Sequence, residues 1–275
     1  MYNLIHLFLL AFFGSIIALA GGVVFLFSKR LSGLLQKHSV PFAAGVLITV
    51  SLLALIPESF EQIGEQAFLV VLLSFFTAFL FEHFIIHIHH HSPKQHDQSH
   101  HNGVHPHSVP LVIIGDTIHN FIDGIAIAAG FFVNPGLGFV TAFSTFLHEI
   151  PHEVSDFAIL LKAGYSRRKV LIVNVISASF TIIGAFLALG LAQSQSFIGV
   201  MLAISAGIFL YLGAIDFLPN IHQGYKSRFQ SIIPLIIGIL CMIVTLMVVP
   251  HSHEPEHEEE IHDGQYGEEL IDEHL

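Results

Sequence analysis

The run PLVIIGDTIHNFIDGIAIAAGFF, Pro110–Phe132, decides how the rest of the chain is read. It is long enough to cross a bilayer, for which about 20 predominantly apolar residues are needed. Yet it carries Asp116, His119, Asn120 and Asp123 at steps of three and four, so a helix would gather all four on one stripe. Working outward, seven further apolar stretches of spanning length flank it, at roughly 3–27, 40–57, 67–86, 138–161, 169–191, 197–218 and 231–249. The expected fold is therefore an all-α polytopic membrane protein with eight transmembrane helices, Pro110–Phe132 being the fourth. The first stretch does not read as a cleavable signal: no basic residue precedes it, and Lys29 and Arg30 follow it.

Composition agrees. The 275 residues are 53% hydrophobic and 11% charged, against about 25% charged in a soluble domain. This excludes a soluble enzyme and a nucleic-acid binder. The net charge of −11 is misleading, because residues 251–275 hold ten of the 21 carboxylates and no Lys or Arg. The rest of the chain is close to neutral. A single cysteine, Cys241, rules out an internal disulfide or a thiolate metal cluster.

The ten basic residues set the orientation. Lys29, Arg30 and Lys37 lie between spans 1 and 2, and Lys94 between spans 3 and 4. Lys162, Arg167, Arg168 and Lys169 lie around the link of spans 5 and 6, and Lys226 and Arg228 between spans 7 and 8. They fall in alternate loops, which the positive-inside rule assigns to the cytoplasm, with both termini outside. The expected location is a plasma or inner membrane, in contact with lipid.

Four regions follow: spans 1–3 (1–86), a His-rich cytoplasmic loop (87–109), spans 4–8 (110–249) and an acidic, His-bearing outer tail (250–275). The loop carries nine His with Pro and Ser, and neither it nor the tail can bury a core, so both are expected to be disordered. A weak repeat is visible too. Ala44-Gly45-Val46 precedes Pro57-Glu58, and Ala206-Gly207-Ile208 precedes Pro219-Asn220 at the same distance. The two helices run in opposite senses, which predicts inverted repeats (spans 1–3 and 6–8) around spans 4 and 5, a transporter-like layout.

Span 5 supplies a second polar stripe: His148, Glu149, His152, Glu153 and Asp156. An acidic side chain at a membrane helix centre costs about 2.5–3.5 kcal/mol, so Asp123, Glu149 and Glu153 require compensation. A divalent cation provides it, and imidazole with carboxylate suits Zn²⁺ or Fe²⁺. The candidate metal ligands are His119, Asn120, Asp123, His148, Glu149, His152 and Glu153. Asn120 also suits an interhelical hydrogen bond, and Asp116 and Asp156 suit supporting roles. Pro151 within span 5 should kink it, and Gly124 should allow close helix approach.

With HNFIDG at 119–124 and HEIPHEVSDFAILLKAG at 148–164, the sequence resembles the ZIP (Zrt/Irt-like) family of divalent-metal transporters, in the subfamily whose fifth span carries the HExPHE signature. The resemblance implies a helical bundle in which spans 4 and 5 line the metal path. It implies a principal site of His119, Asp123, His148 and His152, and an adjacent one of Asn120, Asp123, Glu149 and Glu153, with Asp123 bridging. It also implies Zn²⁺ as cargo moved into the cytoplasm, with Fe²⁺, Mn²⁺ and Cd²⁺ as further candidates, no prosthetic group, and a homodimer as a candidate assembly. Some members place a carboxylate in span 6, where this chain has Ser179-Phe180-Thr181-Ile182. Asp216 in span 7 matches the family's Asp.

The rival reading is an enzyme. His148-Glu149-Ile150-Pro151-His152 satisfies HExxH, in which two His bind Zn²⁺ and Glu acts as general base. An intramembrane zinc metalloprotease would also be polytopic. A proline inside the pentad and a second metal motif on the preceding helix argue against it.

Overall fold

The computed structural model describes residues 4–87, 109–191, 194–221 and 228–250. The His-rich loop, apart from its two ends, and the acidic tail beyond Pro250 lie outside the described residues, as do Lys94 and Lys226.

Every element among the described residues is helical. In chain order these are α1 (Leu4–Gly14), α2 (Ala20–Phe27), α3 (Lys29–Val50), α4 (Ile56–Ile63), α5 (Gln66–His87), α6 (Val109–Val133), α7 (Pro135–Lys162), α8 (Arg167–Leu191), α9 (Gln195–Tyr211) and α10 (Arg228–Val248). A π-helical stretch, Ser51–Leu55, joins α3 to α4. Another, Leu212–Phe217, extends α9 before a 3₁₀ turn at Leu218–Asn220.

Local chemistry sets several ends. Ser28, Asn134 and Ser194 cap α3, α7 and α9, each accepting a bond from a backbone N–H three residues on. Pro135 opens α7, where its missing N–H costs nothing. Gly64, after α4, adopts φ +64°, a conformation that favours glycine.

Six helical stretches are long and apolar enough to cross a membrane: 33–63, 66–83, 109–133, 167–191, 195–217 and 229–248. Two expected spans differ from these. The first, 3–27, is not one helix. It breaks between Gly14 and Ala20, where the N–H of Ile17 reaches back to Phe12 and that of Ala20 only to Ile17. Each half then follows a different part of α7: Gly14 packs beside Thr145, and Gly21 and Gly22 beside Ile150 and Phe157. The fifth, α7, is 28 residues long. Its His, carboxylate and hydroxyl side chains take it out of the apolar class.

α6 and α7 stand at the centre. Around them α5, α8 and α10 turn large apolar side chains outward, among them Leu69, Phe76, Ile176, Ile183, Ile233 and Leu240. So much exposed apolar surface suits hydrocarbon rather than water. α6 lies against α8 with almost no gap: a Cβ on Gly124 would strike the Thr181 carbonyl, and one on Gly184 the Phe121 carbonyl. The close approach expected at Gly124 is thus made with α8. α7 runs through Pro151 without ending.

Candidate metal centre

α6 and α7 are antiparallel neighbours joined at Asn134. Their polar stripes therefore meet midway along both helices.

One donor atom from each of His119, Asp123, His148 and Glu149 lies within 4.8 Å of the other three. His119 Nε2 is 3.0 Å from Glu149 Oε1 and 3.7 Å from Asp123 Oδ2. His148 Nε2 is 3.1 Å from Asp123 Oδ2 and 4.0 Å from Glu149 Oε1. Bonds of about 2.0–2.1 Å to a tetrahedral Zn²⁺ put donors roughly 3.3–3.4 Å apart. The four measured edges straddle that value. Two carboxylates also match the charge of a divalent ion, with the imidazoles neutral.

Burial sharpens the case. Asp123, His148 and Glu149 are at most 1% exposed. His119 Nε2 and Glu149 Oε1 are close yet have no hydrogen-bond partner, and Asp123 Oδ1 has none either. Buried polar atoms are ordinarily bonded, and here two unbonded ones, His119 Nε2 and Glu149 Oε1, face each other within the group of four.

His148 is held from behind. Its Nδ1 lies 2.9 Å from the Ser144 carbonyl. A carbonyl only accepts, so Nδ1 carries the proton and Nε2 is the nitrogen left to face Asp123 and an ion.

The other expected ligands do not join this group of four. His152 is adjacent, its ring 4.7 Å from that of His119, with Nε2 buried and unbonded. Glu153 is 2% exposed, and neither carboxylate oxygen has a hydrogen-bond partner. Asn120 is turned aside: its Nδ2 donates to the Asp116 backbone carbonyl and Oδ1 at 3.1 and 3.0 Å. Its Oδ1 accepts from the Thr181 hydroxyl at 2.9 Å. That is the interhelical role the residue also suited, and Thr181 stands in the span 6 stretch where some relatives are expected to hold a carboxylate.

Sequence reasoning missed the aromatic neighbours. Phe209 lies 5.3 Å from the His148 ring and Phe217 4.9 Å from the His152 ring, measured between centroids. Both come from the α9 rod, and Phe217 closes its π-helical stretch. Nothing in their apolar surroundings marks them.

The centre is closed on one side. Every α6 residue from Ala126 to Phe132 is buried, as are Leu137, Val140, Thr141, Ser144 and Thr145 of α7. Toward the α6 N-terminus and α7 C-terminus, Asp116, His119, His152 and Asp156 are only partly buried.

A bundle of lipid-suited helices enclosing two imidazoles and two carboxylates defines a polytopic membrane protein with a site that fits a divalent metal ion. The chain belongs to the ZIP zinc transporter family, whose profile matches residues 3–110 and 106–246. It is 35% identical over 168 residues to the zinc transporter foi of Drosophila melanogaster, covering 57% of this chain and 24% of that protein. Against zinc transporter ZIP10 of Mus musculus it is 42% identical over 115 residues, covering 42% of this chain and 14% of the relative. Against zinc transporter ZIP4 of Homo sapiens it is 40% identical over 109 residues, covering 40% and 17%. The chain thus spans about a quarter or less of these relatives' length. The HExxH at 148–152 thus lies in a chain of the ZIP zinc transporter family.

Proposed function

We propose that this protein carries Zn²⁺ from outside into the cytoplasm through a site between α6 and α7. The observation that carries the reading is the four-donor group of His119, Asp123, His148 and Glu149, in which His119 Nε2 and Glu149 Oε1 are buried, unbonded and 3.0 Å apart. The names of the relatives, all zinc transporters, favour zinc as cargo. Fe²⁺, Mn²⁺ and Cd²⁺ present the same charge to the same donors and are the competitors to test.

The seven residues His119, Asn120, Asp123, His148, Glu149, His152 and Glu153 form the transport site in this reading. The group of four takes the ion first. The partly buried His152 and the buried Glu153, with unbonded atoms one turn further along α7, receive it next, and Asn120 steadies α6 against Thr181.

The proposed topology has eight spans, with the broken α1–α2 rod and the polar α7 completing the six apolar ones. Both ends lie outside, and the membrane is a plasma or inner membrane. Inverted repeats of spans 1–3 and 6–8 are supported by matched packing. Gly45 abuts the α10 backbone at Leu235, and Gly207 abuts the α5 backbone at Val71. A π-helical stretch follows each glycine by five or six residues. Exchanging spans 1–3 with 6–8, and 4 with 5, converts the first contact into the second. It likewise converts the pairing of α6 with α8 into that of α7 with the α1–α2 rod. Rocking of such repeats about a central site gives alternating access. The His-rich loop, on this topology, receives metal inside, and the acidic tail concentrates cations outside. A homodimer is the proposed assembly.

The test is zinc uptake into proteoliposomes, with Fe²⁺, Mn²⁺ and Cd²⁺ competing. Saturable uptake that His119→Ala and Asp123→Asn abolish is the expected result. Normal uptake by both variants would show that the site lies elsewhere.

A further inference from the structure

Two hydroxyl groups on the closed side of the centre are buried without a bond. Ser144 and Thr145 are fully buried, and neither side-chain oxygen has a hydrogen-bond partner. Other buried helical hydroxyls behave differently: those of Ser51, Thr141 and Ser205 each donate to the carbonyl four residues back. That bond is open to any helical Ser or Thr, so its absence at two adjacent positions is informative.

Their place is specific. Ser144 precedes His148 by four residues and Thr145 precedes Glu149 by four, so each stands about one helical turn before a residue of the group of four and on its face of α7. Thr145 sits where three helices meet. A Cβ on Gly14 of α1 would lie 3.4 Å from Thr145 Cβ and 3.0 Å from Ile127 Cδ1 of α6. One turn further out, a Cβ on Gly130 of α6 would lie 2.9 Å from Thr141 Oγ1. Hydroxyls therefore line α7 from its closed end down to the centre, and the last two before the ligands are unbonded.

We propose that Ser144 and Thr145 form an entry step, a weak binding site for a partly hydrated divalent cation on its way to the group of four. This rests on the transport reading above. A hydroxyl oxygen is a neutral donor that replaces a water of the hydration shell. It holds zinc far less well than imidazole or carboxylate, which are the usual zinc ligands alongside thiolate. A step that binds enough to admit the ion but too weakly to detain it is what passage requires. In the present structure Ile127 and the close helices cover the step. It opens when the outer halves of α6, α7 and α1 part.

The test compares Thr145→Val, which keeps the shape and removes the hydroxyl, with Thr145→Ser, which keeps the hydroxyl, alongside Ser144→Ala. In proteoliposomes, Thr145→Val and Ser144→Ala should raise the KM for Zn²⁺ about two- to tenfold, the effect of one lost polar contact. Maximal rate and equilibrium Zn²⁺ affinity in detergent should stay unchanged, and Thr145→Ser should retain the normal KM. An unchanged KM in Thr145→Val, or a Thr145→Ser variant as impaired as Thr145→Val, overturns the proposal. So does an equal loss of equilibrium affinity, which would mark a structural prop of Glu149.

A second measurement does not depend on flux. In a Cys241→Ser background, Thr145→Cys should react with a membrane-impermeant thiol reagent from the outer side, and Zn²⁺ should slow the reaction. No reaction overturns the entry step. Zinc-protected labelling in a protein that moves no metal would instead preserve the binding step and overturn the transport reading.

Discussion

His148 Nε2 lies 3.1 Å from Asp123 Oδ2 while Nδ1 of the same ring is fixed 2.9 Å from the Ser144 carbonyl. One backbone bond thus selects the tautomer, aims the ring and leaves the second nitrogen beside a carboxylate of the facing helix. The pair ties α7 to α6, and both atoms belong to the group of four that could hold a cation. In the proposed function the same contact serves folding before metal arrives and coordination afterwards.

Replacing His148 should separate the two. His148→Ala removes one of four donors and leaves Asp123 buried without its partner. Zinc affinity measured by calorimetry should fall by at least about tenfold. The metal-free protein should also melt earlier, because a buried charge has lost its compensation. Unchanged affinity with an earlier melt would place His148 in the scaffold only.

Thr181→Val examines the support behind the site. It leaves Asn120 Oδ1 without its 2.9 Å donor in a buried position. The expected cost is about 1–3 kcal/mol of stability, read in thermal or denaturant unfolding. No donor of the group of four is touched, so zinc affinity should change little. A large loss of affinity would bring Asn120 into the coordination sphere.

Gly124→Ala should be more harmful than its size implies. The new methyl would meet the Thr181 carbonyl, which is backbone and cannot rotate away. Overpacking typically costs about 1–3 kcal/mol, and any shift of α6 moves Asp123, its immediate neighbour. Lower melting temperature together with weaker zinc binding is the expected pair of results. Normal values for both would mean that α6 and α8 separate freely.

How far the sequence disclosed all this depends on which physical signal each feature carries. Long apolar runs are required by the thickness of a bilayer, so the helical architecture and most helix positions were legible. The break at Ser15–Leu19 was not, because apolarity continues through it and hydropathy does not register a change of hydrogen-bond pattern. The π-helical stretches are silent for the same reason. In the centre, His119 and Asp123 were legible as a pair four residues apart, as were His148 and Glu149 as charges that need a partner. Asn120 stands outside the group of four. Its amide donates to Asp116 and accepts from Thr181, partners that pairing helices reveals and spacing along one helix does not. Phe209 and Phe217 were invisible, since an aromatic side chain beside a metal-type site looks like any other core residue until helices are paired.

Glu153→Gln makes the strongest separation between stability and function. The carboxyl is 2% exposed and unbonded, so the packed protein without metal gains nothing from it. Replacing this ionisable group should stabilise the metal-free protein, on the order of 1 kcal/mol given the cost of acidic groups within a membrane. If Glu153 receives the ion after the group of four, uptake should slow even though equilibrium affinity at that group is retained. Such a trade of rate for stability is typical of residues kept for function. Melting curves without zinc and initial uptake rates under saturating zinc measure the two sides directly. A variant that is less stable and transports normally would make Glu153 a structural residue with a partner supplied by the surrounding lipid or water.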